Sequence, residues 1–231
     1  HQRQEVADVE ESNDRPVQLE AGQGEALFLL HGSGPGVSGW ANWANTVPVF
    51  ADRWRVVVPD IAGFGFTEFK DDAKYDIKLW VNHLLGIMDA LDIQKASFIG
   101  NSFGGAVAIG LAVFAPERVD RLVLLGTPAG EFIQTPGLRG AWEYEPSLDN
   151  MRRLMELFPY DTSLITDELV QSRFEATIAN LEISSENTAA ARARIVDAET
   201  GDMPLGWFGL FEKVTRIAAD RIAAVIGCTA F

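Results

Sequence analysis

The sequence predicts an α/β fold with a mostly parallel sheet and helices on both faces. Short apolar runs, each the length of a single strand, alternate with glycine-rich loops and with segments of helical periodicity. A strand of a parallel sheet is covered on both faces, so it is continuously apolar rather than alternating, and these runs have that pattern. The runs are Ala26–Leu30, Arg55–Asp60, Ala96–Ile99 and Leu122–Gly126.

The chain divides into a core and an inserted helical region. We expect residues 1–20 to be a loose, acidic lead-in with an edge strand near Val17–Leu19, and residues 21–130 to form the core. Apolar residues at helical spacing between Trp80 and Leu91 predict a core helix. From 131 to 210, turn residues and aromatics precede helical segments near 148–157 and 166–178. This region predicts a helical cap over the sheet edge, and residues 211–231 begin an incomplete further core segment.

The charge balance argues against some partners. With 33 acidic and 19 basic residues, the net charge is −14 at pH 7, which disfavours a nucleic-acid or anionic-membrane partner. The start of the chain is polar and no apolar run reaches membrane-spanning length, so we expect a cytoplasmic protein. Cys228 is the single cysteine, and we interpret it as a buried apolar residue.

A candidate nucleophile lies in the segment Gly100-Asn101-Ser102-Phe103-Gly104. The segment follows the run at Ala96–Ile99 and precedes a helix rich in small residues. A G-x-S-x-G sequence between a strand and a helix is typical of a nucleophile elbow, in which the glycines permit a sharp turn that exposes the serine oxygen. The alternative is an ordinary glycine-rich turn. We predict that Ser102 is a catalytic nucleophile.

A second glycine-rich loop, His31-Gly32-Ser33-Gly34-Pro35-Gly36, follows the run at Ala26–Leu30 and should lie at the same sheet edge. Its start is similar to a dinucleotide-binding turn. However, Val37 stands where the third glycine belongs, and Pro35 where the phosphate-binding helix should begin. An oxyanion-hole loop, paired with the amide after the nucleophile, explains both glycine-rich segments at once.

Two further polar residues have structural interpretations. Asp60 lies too early in the chain for the acid of a Ser…Asp…His order, so we expect a turn residue. His83 lies beside the apolar stripe of a helix that should pack away from the carboxyl edge of the sheet, and we expect it to be structural.

Together these segments resemble the meta-cleavage product hydrolases, a group within the α/β-hydrolase superfamily. The resemblance covers about residues 20 to 180 and is much more specific than G-x-S-x-G alone. The matching motifs are His31 to Gly36 with Gly39-Trp40-Ala41-Asn42-Trp43, Pro59-Asp60 with Gly63-Phe64-Gly65-Phe66-Thr67, Gly100 to Gly105, Pro116-Glu117-Arg118-Val119, Trp142-Glu143-Tyr144-Glu145-Pro146-Ser147, and Arg173-Phe174-Glu175-Ala176.

The resemblance implies hydrolysis of a carbon–carbon bond in a 2-hydroxy-6-oxo-hexa-2,4-dienoate, a ring-cleavage product of aromatic degradation, with no metal or organic cofactor. It implies a small-molecule dienoate partner and a homo-oligomer. The residues carried over by position are Ser102 as nucleophile, the backbone amides of Ser33 and Phe103 as the oxyanion hole, Gly34, Asn42 and Asn101 as dienoate-binding residues, and Arg173 as the cap arginine that binds the carboxylate.

The sequence departs from the family pattern after about Leu181. Histidines occur only at positions 1, 31 and 83, so none follows Ser102. We therefore expect the C-terminal strands that carry the triad acid and histidine to be missing, leaving the edge of the Leu122–Leu125 strand uncovered. Two other functions stay open: an ester hydrolase on the same fold, and a degenerate fold that only binds a ligand or partner.

Overall fold

The computed structural model describes residues 18–34, 36–67, 73–127, 145–159, 161–183 and 222–226. Their strands form one six-stranded sheet with the order β1-β3-β2-β4-β5-β6. All neighbouring strands pair in parallel except β1, which lies antiparallel beside β3 at one edge. The strands are β1 Gln18–Ala21, β2 Ala26–Leu30, β3 Arg55–Pro59, β4 Ala96–Asn101, β5 Val119–Leu125 and β6 Ile222–Ile226.

The helices of the described residues follow the sequence prediction closely. The core helix predicted at Trp80 to Leu91 runs from Ile77 to Ala90, and the small-residue helix predicted after the elbow runs from Phe103 to Phe114. The helices are α1 Gly39–Trp43, α2 Val47–Ala51, α3 Ile77–Ala90, α4 Phe103–Phe114, α5 Leu148–Met155 and α6 Asp167–Ile183, with short 3₁₀ turns at Pro116–Arg118 and Thr162–Leu164.

Strand β2 shows why the interior strands are continuously apolar. All its residues are buried, but successive side chains point to opposite faces of the sheet. Phe28 and Leu30 pack on the face covered by α3 and α4. Leu27 and Leu29 pack on the other face, against residues of α1 and α2 such as Trp43. The predicted α/β class, with a mostly parallel sheet between two helical layers, is therefore confirmed.

The two helices after β5 form a small layer of their own. Ser147 accepts a hydrogen bond from Asn150 N–H and so caps α5. Helices α5 and α6 pack through a separate apolar cluster of Met151, Leu154, Ile165 and Val170. These are the helical segments expected near 148–157 and 166–178. Much of the predicted 131–210 cap, including Trp142 and Tyr144, lies outside the described residues, so the domain bounds stay predictions. Cys228 also lies outside the described residues.

The expectation of an uncovered edge at Leu122–Leu125 is wrong. Strand β6 pairs in parallel with β5, with Leu124 opposite Val225 and Leu125 opposite Ile226. The apolar run at 223–226 thus satisfies the hydrogen bonds of β5 and itself becomes the edge strand of the sheet. Among the described residues, no helix has the length and apolar character needed to cross a membrane.

Two glycines should respond in opposite ways to alanine. A Cβ on Gly104 of α4 would lie 2.5 Å from the carbonyl oxygen of His31 and 2.6 Å from that of Leu30, both rigid backbone atoms. Gly86 of α3 has open space at the same position. We expect Gly104→Ala to reduce the free energy of unfolding by about 3 kcal/mol. Gly86→Ala should raise it by about 1 kcal/mol through helix propensity.

Urea unfolding of both variants at pH 7 measures the difference. Stabilisation by Gly104→Ala, or an equal loss in both variants, would contradict the close backbone contact between α4 and the loop after β2.

Candidate active site

The candidate nucleophile occupies a strained turn between β4 and α4. Ser102 has φ 50° and ψ −118°, a conformation that residues other than glycine rarely adopt. Its N–H donates to the carbonyl of Leu125 at 2.8 Å, and its own carbonyl accepts from Gly105 N–H at 3.0 Å. These bonds hold the turn from both sides. The geometry is that of a nucleophile elbow, in which the serine side chain stands away from both elements.

Glycines bring the elbow and the loop after β2 into direct backbone contact. A Cβ on Gly100 would collide with the backbone of Gly105, and one on Gly104 would collide with the carbonyl groups of Leu30 and His31. A Cβ on Gly32 would lie 3.5 Å from Cβ of Ser102. The structure therefore brings the two glycine-rich segments together at the carboxyl edge of the sheet, as the sequence predicted.

Two backbone N–H groups beside Ser102 fit the candidate oxyanion hole. Phe103 is the first residue of α4, whose N–H groups have no partner within the helix. Ser33 lies in the loop next to Gly32. Neither N–H donates to another described residue. Gly34 follows with φ +133°, and no described residue lies within 4 Å of the position that its Cβ would occupy.

The two asparagines form a pair with a defined orientation. Asn42 Oδ1 accepts from the backbone N–H of Gly32 at 3.0 Å and from Nδ2 of Asn101 at 3.1 Å. Because a backbone N–H only donates, the atom of Asn42 that it meets is the carbonyl oxygen. Asn42 is thereby left with its amino group, and Asn101 with its carbonyl oxygen, for a further partner. Sequence reasoning missed this bond to Gly32, since nothing local in the sequence indicates it.

Arg173 extends from α6 to the same loop. Its Nη1 donates to the carbonyl of Gly36 at 3.3 Å. Within the described ranges, no carboxylate lies within ion-pair distance of its guanidinium, although burial lowers its pKa. The helix lies so close that a Cβ on Gly36, at φ +65°, would be 2.7 Å from Thr177 Oγ1. Gly36 is therefore the position at which the loop accommodates the cap helix.

His31 is fully buried beneath the loop. Its Nδ1 lies 2.6 Å from the carbonyl oxygen of Gly32, and its Nε2 lies 2.9 Å from the backbone N–H of Ile61. Burial is the main cause that lowers its pKa to about 4; the charge of Arg173 contributes in the same direction, and the hydrogen bond to Gly32 opposes it. With both ring nitrogens bonded to backbone groups, His31 is not free to take a proton from Ser102.

His83 of α3 has a structural partner at the carboxyl edge. Its Nδ1 accepts a hydrogen bond of 3.4 Å from the N–H of Ala62, in the loop after β3. Its pKa is lowered to about 4 by burial and by the neighbouring His31. The His83 side chain therefore contacts a loop at the carboxyl edge of the sheet, although its helix was expected to pack away from that edge.

Among the described residues, Ser102 Oγ has no hydrogen-bond partner.

Asp60 holds two loops together, which agrees with its expected structural role. Oδ1 accepts from Gly39 N–H at 2.6 Å, at the start of α1, and Oδ2 accepts from Phe66 N–H at 2.9 Å. Burial raises the pKa of this carboxyl, although the two N–H donors favour its charged form. In the part of the chain that the structure describes, no group of three or more acidic, histidine or cysteine side chains could hold a metal ion.

Comparison with known proteins agrees with this geometry. The pattern of the α/β hydrolase fold family matches residues 25–146. A 2-hydroxymuconate semialdehyde hydrolase of Pseudomonas sp. strain CF600 is 47% identical over 159 residues, which are 69% of this chain and 56% of that protein. A 2-hydroxy-6-oxo-2,4-heptadienoate hydrolase of Pseudomonas putida F1 is 44% identical over 181 residues, which are 78% of this chain and 66% of that protein.

A crystal structure of a mutant meta-cleavage product hydrolase (CumD) superposes with a TM-score of 0.76 and 36% identity, covering 91% of this chain and 85% of that one. Another CumD mutant, from Pseudomonas fluorescens IP01 and complexed with acetates, has a TM-score of 0.71 and 37% identity. The chain therefore belongs to the α/β-hydrolase fold family, and within it to the meta-cleavage product hydrolases. It spans 56% and 66% of the length of the two curated relatives.

The buried histidines predict a pH-dependent stability. Their pKa falls from 6.5 to about 4 on folding. Between these values the unfolded chain binds protons that the folded chain does not. The free energy of unfolding is therefore highest above pH 6.5 and falls as the pH is lowered towards 4, by about 1.4 kcal/mol per pH unit for each histidine. Asp60, whose pKa is raised, acts in the opposite direction.

Urea unfolding between pH 7 and 5, compared for wild type and His83→Gln, isolates one histidine because the Asp60 contribution is common to both chains. We expect the variant to lose stability less steeply with falling pH. Parallel pH profiles would contradict the lowered pKa of His83.

Proposed function

We propose that the protein is a serine hydrolase that cleaves a carbon–carbon bond in 2-hydroxy-6-oxo-hexa-2,4-dienoates. The observation that carries this proposal is Arg173, a mostly buried guanidinium that donates to one backbone carbonyl and has no carboxylate partner among the described residues. A planar guanidinium binds a carboxylate through two parallel hydrogen bonds, which would offset the cost of its burial. Relatives named as dienoate and muconate semialdehyde hydrolases support the same substrate class.

In the proposed reaction, Ser102 Oγ attacks the ketone carbon of the dienoate. The N–H groups of Ser33 and Phe103 bind the developing oxyanion. Before the attack, the 2-hydroxy group passes its proton to C5 and becomes a ketone. When the C5–C6 bond then breaks, its electron pair stays on C5 and is delocalised onto the C2 oxygen as a conjugated dienolate, which takes up the proton lost by Ser102. Asn42 would donate to an oxygen of the dienoate and Asn101 would accept from its hydroxyl. Water then hydrolyses the acyl-serine to a carboxylic acid.

Arg173 separates this function from simple ester hydrolysis. An ester without a carboxylate would leave the guanidinium buried and unpaired, so the ester-hydrolase alternative gives Arg173 no partner. The net charge of −14 argues against nucleic-acid and anionic-membrane partners. A cytoplasmic location remains part of the proposal. We propose that the reaction needs no metal or organic cofactor, and we retain a homo-oligomer as a prediction.

The role of Arg173 is tested by binding. Arg173→Lys replaces a planar fork with a point charge, so affinity for a dienoate should fall about tenfold while affinity for its methyl ester changes little. Arg153→Lys, on the exposed face of α5, is the matched control and should leave both affinities unchanged. Calorimetric titration of both ligands measures the difference. Equal losses for acid and ester would remove Arg173 from the carboxylate site.

Because Ser102 has no identified base, we predict slow turnover by these 231 residues alone. A serine hydroxyl needs a base, no histidine follows Ser102, and both nitrogens of His31 are engaged. Loss of a triad member lowers kcat by about 10⁴ to 10⁶ in serine proteases, and we expect a deficit of that size. The comparison is with the same chain extended by the C-terminal segment of the Pseudomonas putida relative.

Loss of dienoate absorbance measures both rates, with Ser102→Ala as the control in each background. Similar turnover by the two chains would show that a base lies within the 231 residues. Activity of the extended chain that survives Ser102→Ala would overturn the serine mechanism.

A further inference from the structure

We propose that His31 is a positioning residue that aims the N–H of Ser33 at the oxyanion. The inference rests on the proposed function in one respect, since it takes Ser33 N–H as an oxyanion donor. His31 does not touch the substrate in this scheme. It acts through the peptide group that joins Gly32 to Ser33.

The hydrogen bonds of His31 dictate one tautomer. The carbonyl of Gly32 only accepts, so Nδ1, at 2.6 Å from it, must carry the proton. The backbone N–H of Ile61 only donates, so Nε2, at 2.9 Å from it, must be unprotonated. The imidazole is thus neutral, fully buried and held at both ends. The loop after β3 selects the tautomer that donates to the loop after β2.

The planarity of the peptide group transmits this bond to Ser33. In a trans peptide, the C=O of one residue and the N–H of the next lie in one plane and point in opposite directions. Holding the Gly32 carbonyl on His31 therefore fixes the direction of the Ser33 N–H. The preceding peptide is also held, because Gly32 N–H donates to Asn42 Oδ1 at 3.0 Å. Side chains thus hold both peptide groups of Gly32, a residue with no Cβ to restrict its rotation.

The second proposed donor provides an internal control. Phe103 N–H belongs to the first turn of α4, so the helix sets its direction and His31 does not. The groups that face His31 from neighbouring elements are the Phe64 ring, at a centroid distance of 5.7 Å, the charged guanidinium of Arg173 and the imidazole of His83. None of them bonds to the Gly32 carbonyl. A change at His31 should therefore affect one oxyanion donor and spare the other.

Two substitutions distinguish the hydrogen bond that His31 donates to Gly32 from the one that it accepts from Ile61. In His31→Asn, the side-chain amide lies as far from the backbone as Nδ1 does, so it retains a donor for the Gly32 carbonyl. In His31→Gln, the amide lies as far from the backbone as Nε2 does. This variant retains an acceptor for the Ile61 N–H and loses the donor for the Gly32 carbonyl. We expect the ¹H–¹⁵N residual dipolar coupling of Ser33 to change in the Gln variant and to stay near its wild-type value in the Asn variant. The coupling of Phe103 should be unchanged in both.

A tetrahedral boronate formed from phenylboronic acid serves as the oxyanion probe. We expect the Gln variant to bind the boronate about tenfold more weakly than the Asn variant does. The loss is smaller than that caused by deleting an oxyanion donor, because the Ser33 N–H is still present but points in another direction. If the boronate shifts neither the Ser33 nor the Phe103 amide in wild type, the proposed oxyanion hole is wrong, while the dipolar couplings still decide the positioning role.

An unchanged Ser33 coupling in the Gln variant would overturn the positioning role. If that variant does not fold, the ¹⁵N shifts of the wild-type imidazole decide the question. Protonated Nδ1 with unprotonated Nε2 supports the inference, and the opposite tautomer overturns it.

Discussion

The close backbone contact between the nucleophile elbow and the loop after β2 is the constraint on which the rest of the site depends. Gly104 lies against the carbonyl groups of Leu30 and His31 with no room for a side chain. Because the first turn of α4 touches the end of β2, Phe103 N–H and Ser33 N–H lie at the same place on the sheet edge. The strained φ of Ser102 follows from the same requirement, since the chain must reverse between β4 and α4 within one residue.

Buried and half-buried polar side chains organise the loops above the sheet. Asp60, His31 and Asn42 each bond to backbone groups of loops that would otherwise have unsatisfied N–H or C=O groups. Each such bond contributes about 1 kcal/mol, and an unmet buried group costs more. The three residues also link the loop after β2 to the loop after β3 and to α1. The two proposed oxyanion donors thus rest on a framework of side chains, of which Asp60 and His31 have no proposed contact with the substrate.

Arg173 connects the cap to this framework. Burying a guanidinium is costly unless it is paired, and one backbone carbonyl offsets only part of that cost. A carboxylate ligand would supply the missing partner, and in the proposed function substrate binding and the position of α6 would then depend on the same side chain. Gly36 makes the arrangement possible, because a side chain there would displace α6 from the loop. The dienoate hydrolases among the relatives act on carboxylate substrates by name, which agrees with this reasoning.

The sequence alone determined the features that depend on neighbouring residues. The apolar runs predicted β2 to β5, and the spacing of Gly100, Ser102 and Gly104 predicted the elbow. Both predictions were possible because strand burial and turn geometry depend on residues that are neighbours in the sequence. The tertiary structure decided the contacts between distant segments. Strand β6 covers β5 although the sequence suggested an open edge, since pairing partners are not encoded locally. Arg173 meets Gly36 across 137 residues, and the tautomer of His31 is set by Ile61, a residue 30 positions away. No local pattern contains those distances, so only the packing of the helices and loops on the sheet establishes them.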